Sequence, residues 1–386
     1  MSDFDVAVIG LGAMGSAAIA HLAQRGIRAI GFEANFPAHG LSSSHGDTRL
    51  IRLGYFEDPA YVPLLHRAYA NWRALEAASG TELLTVSGIL QIGLPDSGIV
   101  SGTIASCELH GLAYEVLDAP AMATRFTAMM RQPDEVAVLE PQGGFLRPEA
   151  AVMAHLKVAA GAGAVLRLGE KVTEIEPDDA GVTVVSAHSR VRARKVIVAT
   201  GPWIAELVPT LAGIAQPIRQ VVAWYTPRDS GATALGAMLP FLLDEAEGGS
   251  FFGVPALGPD GLKVGKHAHF NEPIDPDQPN PPVNDADTAM LDDFVARRLP
   301  AAAGRRRASI TCRYTMLPGE DFLLDHLPGE PRIVVASPCS GHGFKFASVV
   351  GEILTDLAMQ GSTALPIDAF SFAALAVKSA ISSRAS

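Results

Sequence analysis

Near the C-terminus, seven consecutive residues combine a thiol, an imidazole and an ammonium group. The stretch is CSGHGFK and runs from Cys339 to Lys345. A cysteine close to a histidine can form a nucleophilic pair, and both side chains are zinc ligands. Gly341 and Gly343 in the same stretch let the backbone approach another group closely. The alternatives at this point are a nucleophilic site, a metal site and a glycine-rich turn that only looks reactive.

A second group of cations lies upstream in LKVGKH (262–267). Lys263 and His267 are four residues apart, so they share one face if this segment is a strand. An exposed strand with alternating cations is the ordinary explanation of such a pattern. His267 and His269 also form an H-x-H pair, but we find no third ligand cluster to complete it and do not expect a metal site.

The stretch GLSSSHGDTRLIRLGY (40–55) combines small residues with hydrogen-bond donors. Small side chains such as Ser44 can pass close to a flat ligand, while His45, Arg49 and Arg52 can donate hydrogen bonds to it. From composition alone, a solvated basic loop explains the stretch equally well.

A glycine fingerprint lies near the N-terminus, between an apolar strand pattern and a helix pattern. Gly10, Gly12 and Gly15 match G-x-G-x-x-G. The first glycine permits a tight turn, the second admits a pyrophosphate, and the third lets helix and strand pack closely. Glu33, at the end of the next strand pattern, is an acceptor for ribose hydroxyls and disfavours NADP. These residues predict a dinucleotide site and leave FAD and NAD open.

Composition limits the possible partners. The chain has 386 residues, 30 of them basic and 41 acidic, for a formal charge of −11. Such a charge argues against binding nucleic acid or an anionic membrane, so an anionic ligand must be held by local cations. Three cysteines favour a reducing compartment over a disulfide framework. The acidic start MSDFD is unlike a signal peptide, and we expect a cytoplasmic protein.

Elements typical of a parallel sheet recur at the start, middle and end of the chain. Apolar strands at 5–9 and 28–33 flank an amphipathic helix and form a β-α-β unit. Further strands are predicted within 181–201 and at 332–336, and a last helix at 346–359. Between them lie strand-like segments and a proline-rich stretch, 272–285, which is expected to be an exposed loop. The pattern predicts a dinucleotide domain interrupted by insertions.

Four motifs together resemble one enzyme family. SHGDTRLIR (44–52), LKVGKH, TCRYTMLPGEDFLLD (311–325) and SGHGFKFASVVGE (340–352) occur in the order found in monomeric sarcosine oxidases and N-methyl-L-tryptophan oxidases. These are FAD-dependent amine oxidases of about this length. AWY (223–225) and GKH (265–267) favour the N-methyltryptophan branch.

The resemblance implies an α/β protein, in an α+β arrangement of two domains. A Rossmann-like FAD domain of the glutathione-reductase and D-amino-acid-oxidase type would carry an inserted substrate domain with an antiparallel sheet. We assign 1–85, 150–215 and 306–386 to the FAD domain, and 86–149 and 216–305 to the substrate domain.

The resemblance also implies roles for individual side chains. The cysteine matching Cys312 is joined through its sulfur to the 8-methyl carbon of the flavin, whereas Cys339 is expected to be a bystander. Lys263 corresponds to a lysine that promotes the reaction with oxygen, and His267 to a histidine beside the substrate. Arg49 corresponds to a residue packed near the flavin ring.

Substrate and cofactor contacts follow in the same way. Arg52 and Lys345 match the pair that binds the substrate carboxylate in relatives, a role that an acidic chain would assign to local cations. We further expect cofactor contacts from the backbone and side chains of the following residues: Gly201, Gly341, His342, Gly343 and Phe344.

The chain departs from the family pattern at one point. Relatives commonly have two tyrosines before Gly-Phe-Pro, where this chain has Phe251 and Phe252 before GVP. A phenol beside the substrate is lost, so the substrate is expected to contact phenylalanine rings instead.

The expected reaction is oxidation of an N-methyl amino acid to an imine, which is hydrolysed to formaldehyde and the amino acid, with O2 reduced to hydrogen peroxide. We expect a monomer with no macromolecular partner. The alternatives are a flavin dehydrogenase that passes electrons to a carrier, and a nucleotide-binding protein without catalysis.

Overall fold

The computed structural model describes residues 3–246 and 248–385 and builds them around three β-sheets. The strands are β1 Phe4–Ile9, β2 Ala29–Glu33, β3 Arg49–Ile51, β4 Leu84–Val86, β5 Ile89–Gly93, β6 Glu115–Leu117, β7 Val136–Glu140, β8 Gly144–Leu146, β9 Val165–Leu168, β10 Val172–Asp178, β11 Gly181–Ser186, β12 Arg190–Val198, β13 Gln216–Tyr225, β14 Phe241–Glu245, β15 Gly249–Val254, β16 Leu262–Lys266, β17 Arg306–Met316, β18 Leu324–Leu327 and β19 Glu330–Ala336. The helices are α1 Ala13–Gln24, α2 Val62–Ser79, α3 Gly98–His110, α4 Ala119–Arg125, α5 Pro148–Gly161, α6 Ile204–Leu207, α7 Asp285–Arg298, α8 Ala347–Gln360 and α9 Phe372–Ala385.

The first sheet brings together strands from both ends and the middle of the chain. Its parallel part has the order β9, β2, β1, β12, β19, and β18 joins β19 in antiparallel orientation. The hairpin β10–β11 extends from the other half of β12. Helices α1, α2, α5 and α8 pack on one face through a large apolar cluster. The predicted β-α-β unit and the α/β fold class are confirmed.

Close packing of this layer depends on two glycines. A Cβ at Gly15 in α1 would lie 1.8 Å from the carbonyl oxygen of Gly10, so only glycine lets the helix start so near β1. A Cβ at Gly351 in α8 would lie 2.5 Å from the backbone carbon of Ala17. Helices α1 and α8 therefore touch through their backbones, which fixes α8 and the turn before it relative to the nucleotide fingerprint.

The second sheet has the order β17, β13, β16, β15, β14, β5, β7, β6 and is antiparallel except for the pair β14–β5. Helix α7 covers it through Leu291, Phe294 and Val295. The third sheet is small and has the order β3, β8, β4, with both pairs antiparallel. The domain boundaries proposed from the sequence stay a prediction; β17, which we assigned to the first domain, is hydrogen-bonded within the second sheet.

No helix among residues 3–246 and 248–385 is long and apolar enough to cross a membrane.

Candidate active site

The glycine fingerprint forms a tight turn at the carboxyl end of β1. Gly10 has φ +85°, and a Cβ there would lie 2.6 Å from the carbonyl oxygen of Ala199. Gly12 caps α1 with an extended backbone. Glu33 supports the turn, because one carboxylate oxygen accepts from the backbone N–H of Leu11 at 2.9 Å and the other from that of Asn35 at 3.0 Å. Anchored in this way, Glu33 lines a large cavity that opens beside the turn.

This cavity, of about 760 Å³, runs between the two large sheets. It begins at the fingerprint and reaches the last turn before α8, and all predicted site residues except Gly15 and Phe251 line it. Within the described residues, several polar atoms buried on its wall have no protein partner, among them His39 Nδ1, Thr200 Oγ1, Gln220 Oε1 and Ser337 Oγ. Buried polar atoms need partners, so a long polar ligand that supplies them suits this cavity. FAD fits on this observation.

Cys312 lies on β17 beside two donors, His45 in the loop before β3 and Arg49 at the start of β3. Arg49 donates from a guanidinium nitrogen to Cys312 Sγ at 3.6 Å and is itself held by the carbonyls of Ser43 and His45 at 2.9 and 2.6 Å. Burial raises the pKa of the Cys312 thiol, but a hydrogen bond from His45 and the nearby positive charges outweigh burial and lower this pKa to about 7. A thiol with such a pKa is substantially thiolate at neutral pH, which makes it nucleophilic.

Lys263 is buried on β16, with 3% of its surface exposed. Its ammonium donates to the carbonyls of Gly46 and Thr48 at 2.5 and 2.9 Å and to the Thr48 hydroxyl at 3.4 Å. All three acceptors are uncharged oxygens. Burial, together with the positive charge of Arg49, lowers the pKa of Lys263 to about 7. The side chain therefore carries a poorly neutralised positive charge to the cavity wall.

Arg52 and Lys345 both reach the cavity and are both buried. The guanidinium of Arg52 donates to both carboxylate oxygens of Glu57 at 2.7 and 2.5 Å and to Gln91 Oε1 at 3.1 Å. Lys345 donates to the carbonyl of His342 at 2.6 Å. Burial lowers the pKa of Lys345 well below its ordinary value, and the charge of Arg52 acts in the same direction while Glu57 opposes both.

The strand β15 separates the two phenylalanines that we expected at the substrate. Phe252 lines the cavity, and its ring lies over Gly265, where a Cβ would be 2.5 Å from the ring. Phe251 stacks on Phe294 in the core of the second sheet, with ring centroids 4.0 Å apart. Adjacent residues of a strand point to opposite faces, so the expected contact of Phe251 with the substrate is wrong.

His267 and His269 also separate. His267 follows β16, lines the cavity and approaches a carboxylate oxygen of Glu320 at 3.4 Å. His269 is buried and bonded to Asp287 at 2.8 Å. The two imidazoles face different carboxylates, which explains the H-x-H pattern without a metal.

The stretch CSGHGFK forms the turn between β19 and α8. A Cβ at Gly341 would lie 2.5 Å from the His267 ring, and one at Gly343 would lie 1.6 Å from the carbonyl oxygen of Pro338. Both glycines are therefore required by the turn. Burial raises the pKa of the Cys339 thiol, so Cys339 is the less reactive of the two cavity cysteines.

Three residues of the site were not predicted from the sequence: Tyr55, Glu57 and Glu320. Tyr55 ends the loop motif 40–55, but an isolated tyrosine has no spacing signal. Glu57 lies five residues after Arg52, and only the fold shows that the chain turns back to pair them. Glu320 lies within the family motif 311–325, which gives it no role.

A dinucleotide is the ligand whose length and polarity suit a cavity that joins the glycine turn to Cys312 and Lys345. On fold and site, the chain is thus a dinucleotide-binding α/β protein equipped for redox chemistry. The family model described as FAD dependent oxidoreductase (DAO) matches residues 5–357, and the chain belongs to this family, within the group that contains monomeric sarcosine oxidase.

Individual relatives cover nearly the whole chain. Monomeric sarcosine oxidase from Streptomyces avermitilis is 40% identical over 377 residues, which are 95% of this chain and 96% of the relative. N-methyl-L-tryptophan oxidase from Yersinia pestis (strain Pestoides F) is 34% identical over 373 residues, with 96% and 99% covered. The resemblance found in the motifs is confirmed, although overall identity does not support the preference for the N-methyltryptophan branch.

Solved structures agree on the fold. The open form of NikD, an unusual amino acid oxidase essential for nikkomycin biosynthesis, has a TM-score of 0.84 at 26% identity, with 96% of this chain and 98% of that chain covered. L-proline dehydrogenase from P. horikoshii has a TM-score of 0.82 at 20% identity, with 96% and 97% covered, a likeness that shows the fold alone.

Proposed function

We propose that this protein is an oxidase of secondary amino acids and that its substrate is an N-methyl amino acid. The C–N bond to the methyl carbon is oxidised to an imine, which water hydrolyses to formaldehyde and the primary amino acid. The two electrons pass to O2, which takes up two protons and leaves as hydrogen peroxide. Bound FAD supplies this two-electron chemistry, and the side chains on the cavity wall bind, orient and polarise the reactants.

The observation that carries the proposal is the pair of buried cations at one wall of the cavity. Arg52 and Lys345 are 2% and 4% exposed in a chain whose formal charge is −11. Buried cations need neighbouring anions, and Glu57 forms an ion pair with only one of the two, Arg52. A substrate carboxylate would balance the charge of the other, with the guanidinium and ammonium donating charge-assisted hydrogen bonds to it.

His267 and Phe252 would border the amine and the side chain of the substrate. His267 reaches the cavity at 30% side-chain exposure, where its imidazole can hydrogen-bond to the substrate amine. Phe252 offers an apolar ring in place of the phenol found in relatives.

Lys263 would stabilise the negative charge that develops on oxygen as it is reduced. A positive charge fixed among uncharged oxygens, away from water, is effective because it needs no reorganisation during the reaction. Arg49, held by carbonyl oxygens beside Cys312, would act on the flavin ring in the same sense.

Cys312 would be the attachment point of the flavin, through a thioether to its 8-methyl carbon. The lowered pKa of the thiol and its place on the cavity wall beside Arg49 support this role. Cys339, whose thiol pKa is raised, would remain free. Action as a cytoplasmic monomer stays a prediction.

A screen of N-methyl amino acids tests the proposal. The purified yellow protein should release hydrogen peroxide and formaldehyde in equal amounts with at least one of them, and the corresponding primary amino acid should be inert. If the substrate bleaches the flavin but only an artificial electron acceptor restores the colour, the protein is a dehydrogenase instead. If no N-methyl amino acid bleaches the flavin, the substrate assignment fails.

A further inference from the structure

A relay of hydrogen bonds connects the carbonyl of Glu320 to the ammonium of Lys345 through the rings of His342 and Tyr55. His342 Nε2 lies 2.7 Å from the carbonyl oxygen of Glu320. A carbonyl only accepts, so Nε2 must carry the proton and donate. Burial lowers the pKa of His342 to about 4, so the ring has one proton at neutral pH. Its other nitrogen, Nδ1, is therefore an acceptor.

The direction of the next bond follows from this tautomer. Tyr55 Oη lies 2.5 Å from His342 Nδ1, and the phenol must donate because Nδ1 has no proton. Its hydrogen is thereby turned toward His342 and away from Lys345. The phenol oxygen then presents only lone pairs to the Lys345 ammonium, 3.5 Å away.

Tyr55 also contacts both cations of the carboxylate site through its ring. The Arg52 guanidinium lies 4.5 Å from the centre of its ring and the Lys345 ammonium 5.2 Å from the same point. Two buried cations repel each other, and an aromatic ring within reach of both offsets part of that repulsion. Tyr55 itself is fully buried.

We infer that Tyr55 and His342 are positioning residues, and that the carbonyl of Glu320 fixes the His342 tautomer so that the Tyr55 oxygen accepts from Lys345 and holds its ammonium toward the substrate carboxylate. The inference rests on the proposed function in one respect: it takes the Arg52–Lys345 pair as the carboxylate site. In the opposite tautomer the phenol hydrogen would point toward Lys345. The hydrogen bond from the Lys345 ammonium to the phenol oxygen would then be weaker.

The backbone at Glu320 supports this assignment. Glu320 has φ +56°, a left-handed conformation that non-glycine residues rarely adopt. It follows Gly319, also left-handed at φ +74°, in the short turn Pro318–Glu320. In this conformation the same residue directs its carbonyl to His342 and its carboxylate to His267. One turn thus orients two of the cavity histidines, His267 and His342.

The tautomer is measured directly by NMR of the holoprotein with ¹⁵N-labelled histidine. Of the eleven histidines, the signals of His342 are assigned by their loss in His342→Gln. We expect the Nε2–H tautomer from pH 6 to pH 8. An Nδ1–H tautomer, or a charged ring in this range, would overturn the inference.

The consequence for binding is measured with Tyr55→Phe and its matched control Tyr61→Phe. The Tyr61 ring lies in the same aromatic cluster, but its hydroxyl donates to Asp321 at 2.7 Å, outside the relay. Losing a hydrogen bond to a charged group should weaken binding of acetate about tenfold in Tyr55→Phe, read from the flavin spectrum. The KM for substrate should rise by a similar factor with kcat changed less than about twofold.

Equal affinities for acetate in Tyr55→Phe and Tyr61→Phe would refute the positioning role. If the wild type oxidises no N-methyl amino acid, the proposed function fails, whereas the relay is still decided by the tautomer and by the acetate affinities.

Discussion

Lys263 is a buried lysine whose ammonium has no carboxylate among its hydrogen-bond partners in the described residues. It donates to uncharged oxygens of Gly46 and Thr48. Lys263→Met keeps most of the length of the side chain and removes the charge, so we expect reoxidation of the reduced enzyme by O2 to slow by about 10² to 10³. Stopped-flow measurement should find reduction by substrate changed only a few-fold. Lys266→Met, three residues on beside Phe251, is the control and should leave both rates near wild type.

The charge on Lys263 also predicts a pH dependence. Burial lowers its pKa from 10.5 to about 7. The ammonium, which is the active form, is present below this pKa and is lost as the pH rises through it. The rate constant for reoxidation should therefore fall above pH 7 in the wild type and be flat in Lys263→Met. A wild-type profile that rises with pH would contradict the role of the ammonium.

Cys312 and Cys339 provide a matched pair for testing where the flavin is covalently attached. Both line the cavity, but only the Cys312 thiol has a lowered pKa. After denaturation in acid, the flavin should stay with the polypeptide in the wild type and in Cys339→Ser, and should be released from Cys312→Ser. Absorbance of the separated protein at about 450 nm measures this. Release from the wild type would rule out attachment at Cys312.

The family motifs, rather than residue types alone, predicted which cations line the cavity; their roles stay predictions. Phe251 was misplaced because the motif was considered without strand alternation, which sends it to Phe294. Tyr55 and Glu320 were missed for another reason: their roles consist of contacts across the fold, 287 residues apart for the Tyr55–His342 bond. Glu57 was missed because only the fold shows that the chain turns back to pair it with Arg52.

Two strands of the second sheet hold the proline-rich segment against the cavity. Arg313 on β17 donates to the carbonyls of Pro276 and Gln278 at 2.6 and 2.8 Å. Arg219, directly opposite on β13, donates to the carbonyl of Pro282 at 2.8 Å and pairs with buried Asp287. Residues 276–279 thereby form part of the cavity wall. The sequence predicted an exposed loop here, and could not show that buried arginines from distant strands anchor it.

Removing one anchor should loosen this segment without unfolding the sheet. Arg313→Met retains the buried chain and loses the donors to Pro276 and Gln278. Cleavage by a protease within 272–285 should become about tenfold faster, since the local opening free energy falls. The control is Arg307→Met, an exposed arginine on the same strand. Mass spectrometry of the early fragments identifies the site, and equal cleavage of the two variants would show that Arg313 does not anchor the segment.

At the scale of the whole molecule, the cavity wall comes from both large sheets. Gly10 and Glu33 belong to the first sheet or its turns, whereas Phe252, Lys263 and Cys312 belong to the second. The sequence predicted that the first sheet is assembled from separated segments, because each segment has its own apolar pattern. It could not predict the pairing order of the second sheet, since short alternating strands can pair in many ways.

A cofactor that spans both sheets should stabilise them together. Covalent attachment of the flavin changes how that stabilisation depends on the concentration of free FAD. A ligand that binds only the folded state raises stability by about 2.7 kcal/mol at a hundredfold excess over Kd. In Cys312→Ser, where FAD can dissociate, the Tm should therefore rise as free FAD is added. In the wild type the attached flavin is always present at its site, so the Tm should not respond to added FAD. Differential scanning calorimetry of the two proteins over a series of FAD concentrations measures this, with Cys339→Ser expected to match the wild type. A wild-type Tm that rises with FAD as steeply as that of Cys312→Ser would show that the two sheets are held by a cofactor in exchange with solution.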